Sequence, residues 1–232
     1  MNLAIIPARG GSKRIPRKNI RDFHGKPIIS YAILNCLNSN MFDEVMVSTD
    51  DNEIAELAES CGAKVPFLRT EKNANDYATT ADVLIEVLEN YQKNGKVFES
   101  FCCLYPTTPL LKSERLKEAY QYMINNDFDT VFGVLKFDYP IQRALRFNKE
   151  KVEMIWEENL NKRSQDLESA YHDSGQFYWL KTERFLKNQK IFTSNSGAVV
   201  LDANEAQDID NETDWQMTEL KYSLLKKIIL QV

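Results

Sequence analysis

The sequence, 232 residues long, predicts an α/β fold built on a doubly wound, mainly parallel sheet. Two observations carry that reading. Short apolar runs of strand length alternate with longer segments whose apolar residues recur at helical spacing, as in successive strand–helix units. The residues with chemistry to offer also fall just after the strands, where such sheets keep their ligand crevice.

The elements follow in order. Leu3 to Ile6 reads as a buried strand that empties into a glycine loop. Pro27 opens a helix over Ile28 to Leu37, and Glu44 to Ser48 is a β-branched strand. Thr49-Asp50-Asp51 is a turn and helix cap, and Glu53 to Ser60 is a helix closed by Gly62. Lys64 to Leu68 is strand-like. Thr79 to Asn94 gathers Val83, Leu84, Val87, Leu88 and Tyr91 on one helical face. Phe101 to Leu104, apolar throughout, is expected to be a buried parallel strand. Ser113 is expected to cap a helix to about Asn126, and Thr130 to Leu135 is the next strand. Near the end, Ala198 to Leu201 is a strand and Asp214 to Leu230 an amphipathic helix. Its Leu220, Leu224, Leu225 and Ile228 are expected to pack on the sheet.

One segment breaks the alternation. Between Lys136 and Leu167 aromatic and charged residues mix, Pro140 intervenes, and Val152-Glu153-Met154-Ile155-Trp156 alternates like a half-exposed strand. We read residues 136–167 as a β-rich arm, of the kind that buries apolar surface against a second subunit. The rest, over residues 1–232, is expected to form a single domain.

Composition narrows the function classes. The apolar fraction of 43% supports a sizeable core, and no window approaches the ~18 apolar residues of a membrane helix. Cys36, Cys61, Cys102 and Cys103 show no metal or redox spacing and read as small hydrophobes in a reducing compartment. The start lacks a signal-peptide pattern, so the cytoplasm is the expected location. A formal net charge of −5 argues against a nucleic-acid partner.

Against that acidic background, Arg9, Lys13, Arg14, Arg17 and Lys18 crowd one loop with Gly10, Gly11 and Ser12. Glycines there free backbone N–H groups to approach an anion and to take up positive φ. The spacing matches neither a P-loop nor a dinucleotide fingerprint, so we expect a different phosphate-binding loop, for a polyphosphate. At the other end, Asp208-Ile209-Asp210 in extended form would turn both carboxylates one way and Ile209 into the core. Such a pair suits Mg2+, with phosphate and water completing its shell. Asp127-Phe128-Asp129 has a similar spacing but precedes its strand. His172 and Asp173 are neighbours on a strand and face opposite ways, so they do not form a dyad. His24 reads as a solvated loop residue, and Trp156, Trp179 and Trp215 as packing residues.

The opening motif, the Tyr105-Pro106-Thr107-Thr108-Pro109-Leu110 turn and the late Asp208-Ile209-Asp210 resemble, in order and over nearly the whole chain, the cytidylyltransferases that make CMP-activated ulosonic acids. Three stretches point to the pseudaminic acid branch: Ser12 to Asn19, Leu104 to Thr107, and Arg163 to Leu167 leading to Ala170 through Trp179. The resemblance implies the nucleotide-diphospho-sugar transferase fold and a nucleotidyltransferase that joins CTP to a nine-carbon sugar acid. It also implies Mg2+ and a homodimer built through the arm. By position, Arg9, Gly10, Gly11, Ser12, Lys13, Lys18, Asn19, Arg69, Asp76, Thr79 and Thr80 would bind the nucleotide. Lys18, Arg9, Asp208 and Asp210 would be catalytic, and the two aspartates would hold the metal. Tyr105, Thr107, His172 and Gln176 would line the sugar site. Sialic acid enzymes usually carry glutamine at the Tyr105 position, so a different sugar is implied; they often carry arginine at the Leu111 position, so charge for the sugar carboxylate must come from elsewhere. CMP-sialic or CMP-legionaminic acid synthesis is the alternative within the class. A nucleotide-binding module without catalysis is the alternative outside it.

Overall fold

A computed structural model describes residues 1–229, with side chains through Lys227. In chain order, β1 (Asn2–Pro7) leads through the glycine loop to the short strands β2 (Asp22–Phe23) and β3 (Lys26–Pro27) and helix α1 (Ile28–Ser39). Strand β4 (Glu44–Ser48), α2 (Asn52–Ser60), α3 (Glu71–Ala74), α4 (Thr80–Lys93) and β5 (Ser100–Leu104) follow. Then come α5 (Ser113–Asn125), β6 (Thr130–Lys136), the hairpin β7 (Leu145–Asn148) and β8 (Lys151–Met154), and the long β9 (Tyr171–Lys181). Helix α6 (Thr182–Asn188), β10 (Ser196–Val200) and α7 (Glu212–Ile229) complete the chain.

The main sheet has the order β10-β6-β9-β5-β1-β4. It is parallel at β4–β1, β1–β5 and β6–β10, and antiparallel where β9 lies between β5 and β6. The expectation of a parallel setting for Phe101 to Leu104 therefore holds on the β1 side only. A strand buried on both faces reads as one apolar run whichever way its neighbour points.

Alternation along the strands sorts the core into two layers. Ala4, Ile6, Val47, Cys102 and Leu104 pack with Ile29, Ile33, Ala58, Leu116 and Met123 of α1, α2 and α5. Leu3, Ile5, Met46, Phe101 and Cys103 pack on the other side with Leu84, Val87, Leu88 and Phe185 of α4 and α6. A third, smaller cluster joins Ile15, Phe23, Ile28, Ile209 and Trp215, with Tyr31 and Tyr222 against it.

Several local expectations need correction. Lys64 to Leu68 makes only one parallel bridge, Met46 to Lys64, because Pro66 has no N–H to continue a ladder. Ser113 is the first helical residue of α5; Lys112 holds the cap position and makes no side-chain capping bond. Leu220 and Leu224 are 62% and 55% exposed: α7 docks by Trp215 and Tyr222 onto the third cluster, which rotates its leucine edge outward. Ile228 and Leu230 lie outside the residues whose side chains are described. Trp179 and Trp215 are buried, but Trp156, just after β8, is 39% exposed. No described helix is long and apolar enough to cross a membrane.

Candidate active site

The glycine loop leaves the carboxyl end of β1 and is pinned at once to β4 and its following turn. Ala8 N–H donates to the Ser48 carbonyl at 2.9 Å and Gly10 N–H to Asp50 Oδ1 at 3.0 Å. A Cβ on Gly10 would lie 2.6 Å from Asp51 Oδ2, so glycine is required there by close approach. Positive φ is not the reason, since neither Gly10 nor Gly11 adopts it; the left-handed residue of this loop is Arg17, at φ 54°. Arg17 binds Asp51 and reaches Glu53 at 2.5 Å. Its hydrogen bond holds the Asp51 carboxyl below the usual range, while Asp51 also caps α2 through Ile54 N–H. Asn19, 7% exposed, donates to the Arg9 carbonyl at 3.0 Å. The loop is thus preorganised by its own chain.

Its cations converge on carboxylates. Arg9 Nη1 lies 2.8 Å from Asp76 Oδ1, and Lys13 binds the other oxygen of Asp76. Arg14 Nη2 lies 2.7 Å from Asp210 Oδ1. Lys18 Nζ donates to the Ile209 carbonyl at 2.6 Å, across 191 positions of chain. Burial lowers the Lys18 ammonium and the charges of Asp210 and Asp208 oppose that lowering. Burial, reinforced by Asp210, raises the Asp208 carboxyl. The glycine loop and the acidic pair therefore form one charged cluster. The third hydrophobic cluster brings them together: Ile15 of the loop and Ile209 of the Asp-Ile-Asp turn are both buried in it.

The acidic turn is held from several sides. Asp214 Oδ2 accepts from the N–H groups of Asp210 and Asn211, and Asn211 Oδ1 caps α7 through Thr213 and Asp214. Lys221 of α7 spends its ammonium on the Ala203 and Ala206 carbonyls and Gln207 Oε1, at 2.7, 3.0 and 3.0 Å.

The remaining predicted residues divide. Arg69 is buried and donates to Ser48 through Oγ at 3.1 Å and the carbonyl at 2.5 Å, bracing the end of β4. Thr79 caps α4 in a reciprocal box with Asp82. Thr80 Oγ1 lies 3.0 Å from the Tyr105 hydroxyl, which burial pushes up to about 12. Thr107 is buried in the turn after β5. Gln176, 1% exposed, donates to the Ser174 and Gln207 carbonyls, and its Oε1 has no partner. His172 is exposed, with Nδ1 2.9 Å from the Asp173 carbonyl and its ring 4.8 Å from Phe137. His24, also exposed, leans on Tyr222 at 4.9 Å.

Two cavities of about 500 Å³ flank this region. One is bounded by His172, Asp173, Asp208 and Lys221, the other by Thr80, Tyr105, Asp173 and Tyr178. Larger cavities of about 600 and 710 Å³ lie at the amino end of β5 and along β10 and contain none of the predicted residues. Sequence reasoning counted Arg14 and Arg17 among the loop cations without their partners Asp210 and Asp51, and assigned no role to Lys221. Arg14 and Arg17 stood in the basic run; Lys221 had no local signal, since its partners are 14 to 18 positions away.

Comparison with known proteins gives the family. A family model described as cytidylyltransferase matches residues 3–227. The pseudaminic acid cytidylyltransferase of Campylobacter jejuni is 46% identical, over 96% of this chain and 97% of that protein. The CMP-N,N'-diacetyllegionaminic acid synthase of Legionella pneumophila is 32% identical, over 94% of each. Among solved structures, CMP:2-keto-3-deoxy-manno-octonic acid synthetase complexed with CTP matches 97% of this chain and 99% of that one. Its TM-score is 0.68 at 16% identity, a likeness of fold. With a family model spanning nearly all described residues and a relative sharing almost half of them from end to end, the chain belongs to the cytidylyltransferase family.

Proposed function

We propose that this chain transfers CMP from CTP to pseudaminic acid and releases pyrophosphate. The observation that carries the reaction is the junction at Lys18, where the glycine–cation loop meets two carboxylates. The choice of sugar is supported by 46% identity to a pseudaminic acid cytidylyltransferase against 32% to a legionaminic acid enzyme over similar coverage.

In this reading the anomeric hydroxyl of the sugar acid attacks the α-phosphorus of CTP. A P–O bond forms there as the bond to pyrophosphate breaks, and the hydroxyl proton passes to solvent water. The Gly10–Gly11–Ser12 loop, whose Gly10 and Ser12 N–H groups would have to leave Asp50 and the Gly10 carbonyl, and the cations Arg9, Lys13 and Lys18 hold the triphosphate, displacing Asp76 from Arg9 and Lys13. Asn19 fixes the loop beside the ribose. Arg69, Asp76, Thr79 and Thr80 frame the base side, and Tyr105, Thr107, His172 and Gln176 the sugar side. Rate enhancement comes from positioning and from charge stabilisation by Lys18 and Arg9. The direct displacement needs no covalent enzyme intermediate, and Cys36, Cys102 and Cys103 are buried in the core.

Asp208 and Asp210 would hold Mg2+. The donor set fits: two carboxylates close enough for one to raise the other, with Arg14, which lies 2.7 Å from Asp210, giving way to the ion. Phosphate and water oxygens would supply the remaining ligands. When bound, Mg2+ neutralises triphosphate charge and polarises the α-phosphorus.

The arm, residues 136–167, would join two copies as a homodimer. Leu145, Phe147, Ile155, Trp156 and Leu160 on it are 39–81% exposed. We place the enzyme in the cytoplasm, where CTP is made. The test is product identification by mass spectrometry after incubation with CTP, Mg2+ and separate pseudaminic, legionaminic and sialic acids. CMP-pseudaminic acid as the main product is expected; preferential turnover of another acid would overturn the substrate choice.

A further inference from the structure

Strand β9 carries a feature that the reaction as described does not use. Against β6 its register runs through Phe132–Tyr178 and resumes at Val134–Asp173, so residues 174–177 bulge opposite Gly133 alone. Two glycines permit the bulge. Gly175 has φ +63°, and a Cβ on Gly133 would lie 2.8 Å from Ser174 Oγ. The bulge folds Asp173 back along its own strand. Its Oδ1 accepts from Gly175 N–H at 3.1 Å, and its Oδ2 accepts from the Tyr178 hydroxyl at 2.5 Å.

Tyr178, 3% exposed, packs edge-on against Tyr105 at 5.7 Å and Phe192 at 5.8 Å. Asp173, Tyr178, Tyr105, Thr80 and Phe192 bound the same cavity. A phenol has one proton, and an ionised carboxylate can only accept. With its proton committed to Asp173, the Tyr178 oxygen offers lone pairs alone. Two acceptors, one of them charged, then face one end of the cavity. Such a wall favours N–H and O–H groups and repels a carboxylate.

We propose that Asp173 is a specificity-determining positioning residue. By taking the Tyr178 proton, it makes this end of the cavity a hydrogen-bond acceptor for the hydroxyl and acylamino groups of the sugar acid and closes it to the sugar's carboxylate. The inference rests on the reading that Tyr105 marks the sugar side of the site. It sets the direction in which the substrate lies: uncharged tail toward Asp173, carboxylate away from it.

Steady-state kinetics of Asp173→Asn, Tyr178→Phe and the double variant test this, beside the unsubstituted enzyme. Asn keeps the size of Asp but can donate to Tyr178 and so reverses the polarity. Each single variant should raise KM for the sugar acid about tenfold, the worth of one hydrogen bond. KM for CTP should stay within about twofold. Because Asp173 acts through Tyr178, the double variant should be no worse than the poorer single one. Additive losses, or an unchanged sugar KM in Asp173→Asn, would overturn the proposal. If Asp173→Asn unfolds, Tyr178→Phe decides alone: it must raise the sugar KM without moving that for CTP. Failure of the functional reading has a different signature, an unsubstituted enzyme that makes no CMP-sugar from any of the acids.

Discussion

Replacing Lys18 by methionine removes the group on which the proposed site turns. The ammonium gives one short hydrogen bond to the Ile209 carbonyl and sits between two carboxylates whose charges oppose its deprotonation. A hydrogen bond from a charged donor is worth about 2 kcal/mol, so the melting temperature should fall by about 4–8 °C for a chain of this length. The catalytic loss should be larger. A positioned donor that meets developing phosphoryl charge contributes about 10²- to 10³-fold in kcat. Pyrophosphate release under saturating CTP, sugar acid and Mg2+ measures it. Arginine should not restore the rate, because its planar fork cannot replace a compact ammonium in a half-buried space. A Lys18→Met enzyme keeping more than a tenth of the original kcat would refute the assignment. A lowered melting temperature with normal kcat would leave Lys18 as a structural tie alone.

Three other outcomes are expected. Lys221→Met, which frees the loop before Asp208 from three hydrogen bonds, should raise the Mg2+ concentration for half-maximal activity about three- to tenfold. Calorimetry with Mn2+ should show a parallel weakening. Glu44, 6% exposed, would be raised by burial alone, but Lys96, Tyr91 and Lys64 outweigh that and hold it at about 2. Its folded value is depressed, so its contribution, on the order of 3 kcal/mol, is complete above pH ~4.5 and disappears as pH falls toward 2. Urea unfolding across that range should show a shallower acid loss in Glu44→Gln, which starts less stable near neutrality. Phe147, 81% exposed at the arm tip, should support the dimer: Phe147→Glu should halve the mass seen by light scattering, and an unchanged mass would move the interface elsewhere.

Much of the architecture was legible locally. The strands of β1, β4, β5 and β6 announce themselves by apolar runs, and α4 by its facing residues, because side-chain periodicity is a property of each segment. The glycine–cation loop and the Asp-Ile-Asp turn were equally visible, since close backbone approach and paired charge are written in neighbouring residues. Direction and partnership were not. An apolar strand hydrogen-bonds equally well to parallel or antiparallel neighbours, so only the assembled sheet sets β9 antiparallel between β5 and β6. The outward leucine edge of α7 follows from Trp215 docking on Phe23, a choice its own periodicity does not contain. The basic run and the acidic turn were each readable alone. That Lys18 should meet Ile209 depended on Ile15 and Ile209 sharing a small core, and burial against distant residues is decided only when the whole chain has folded.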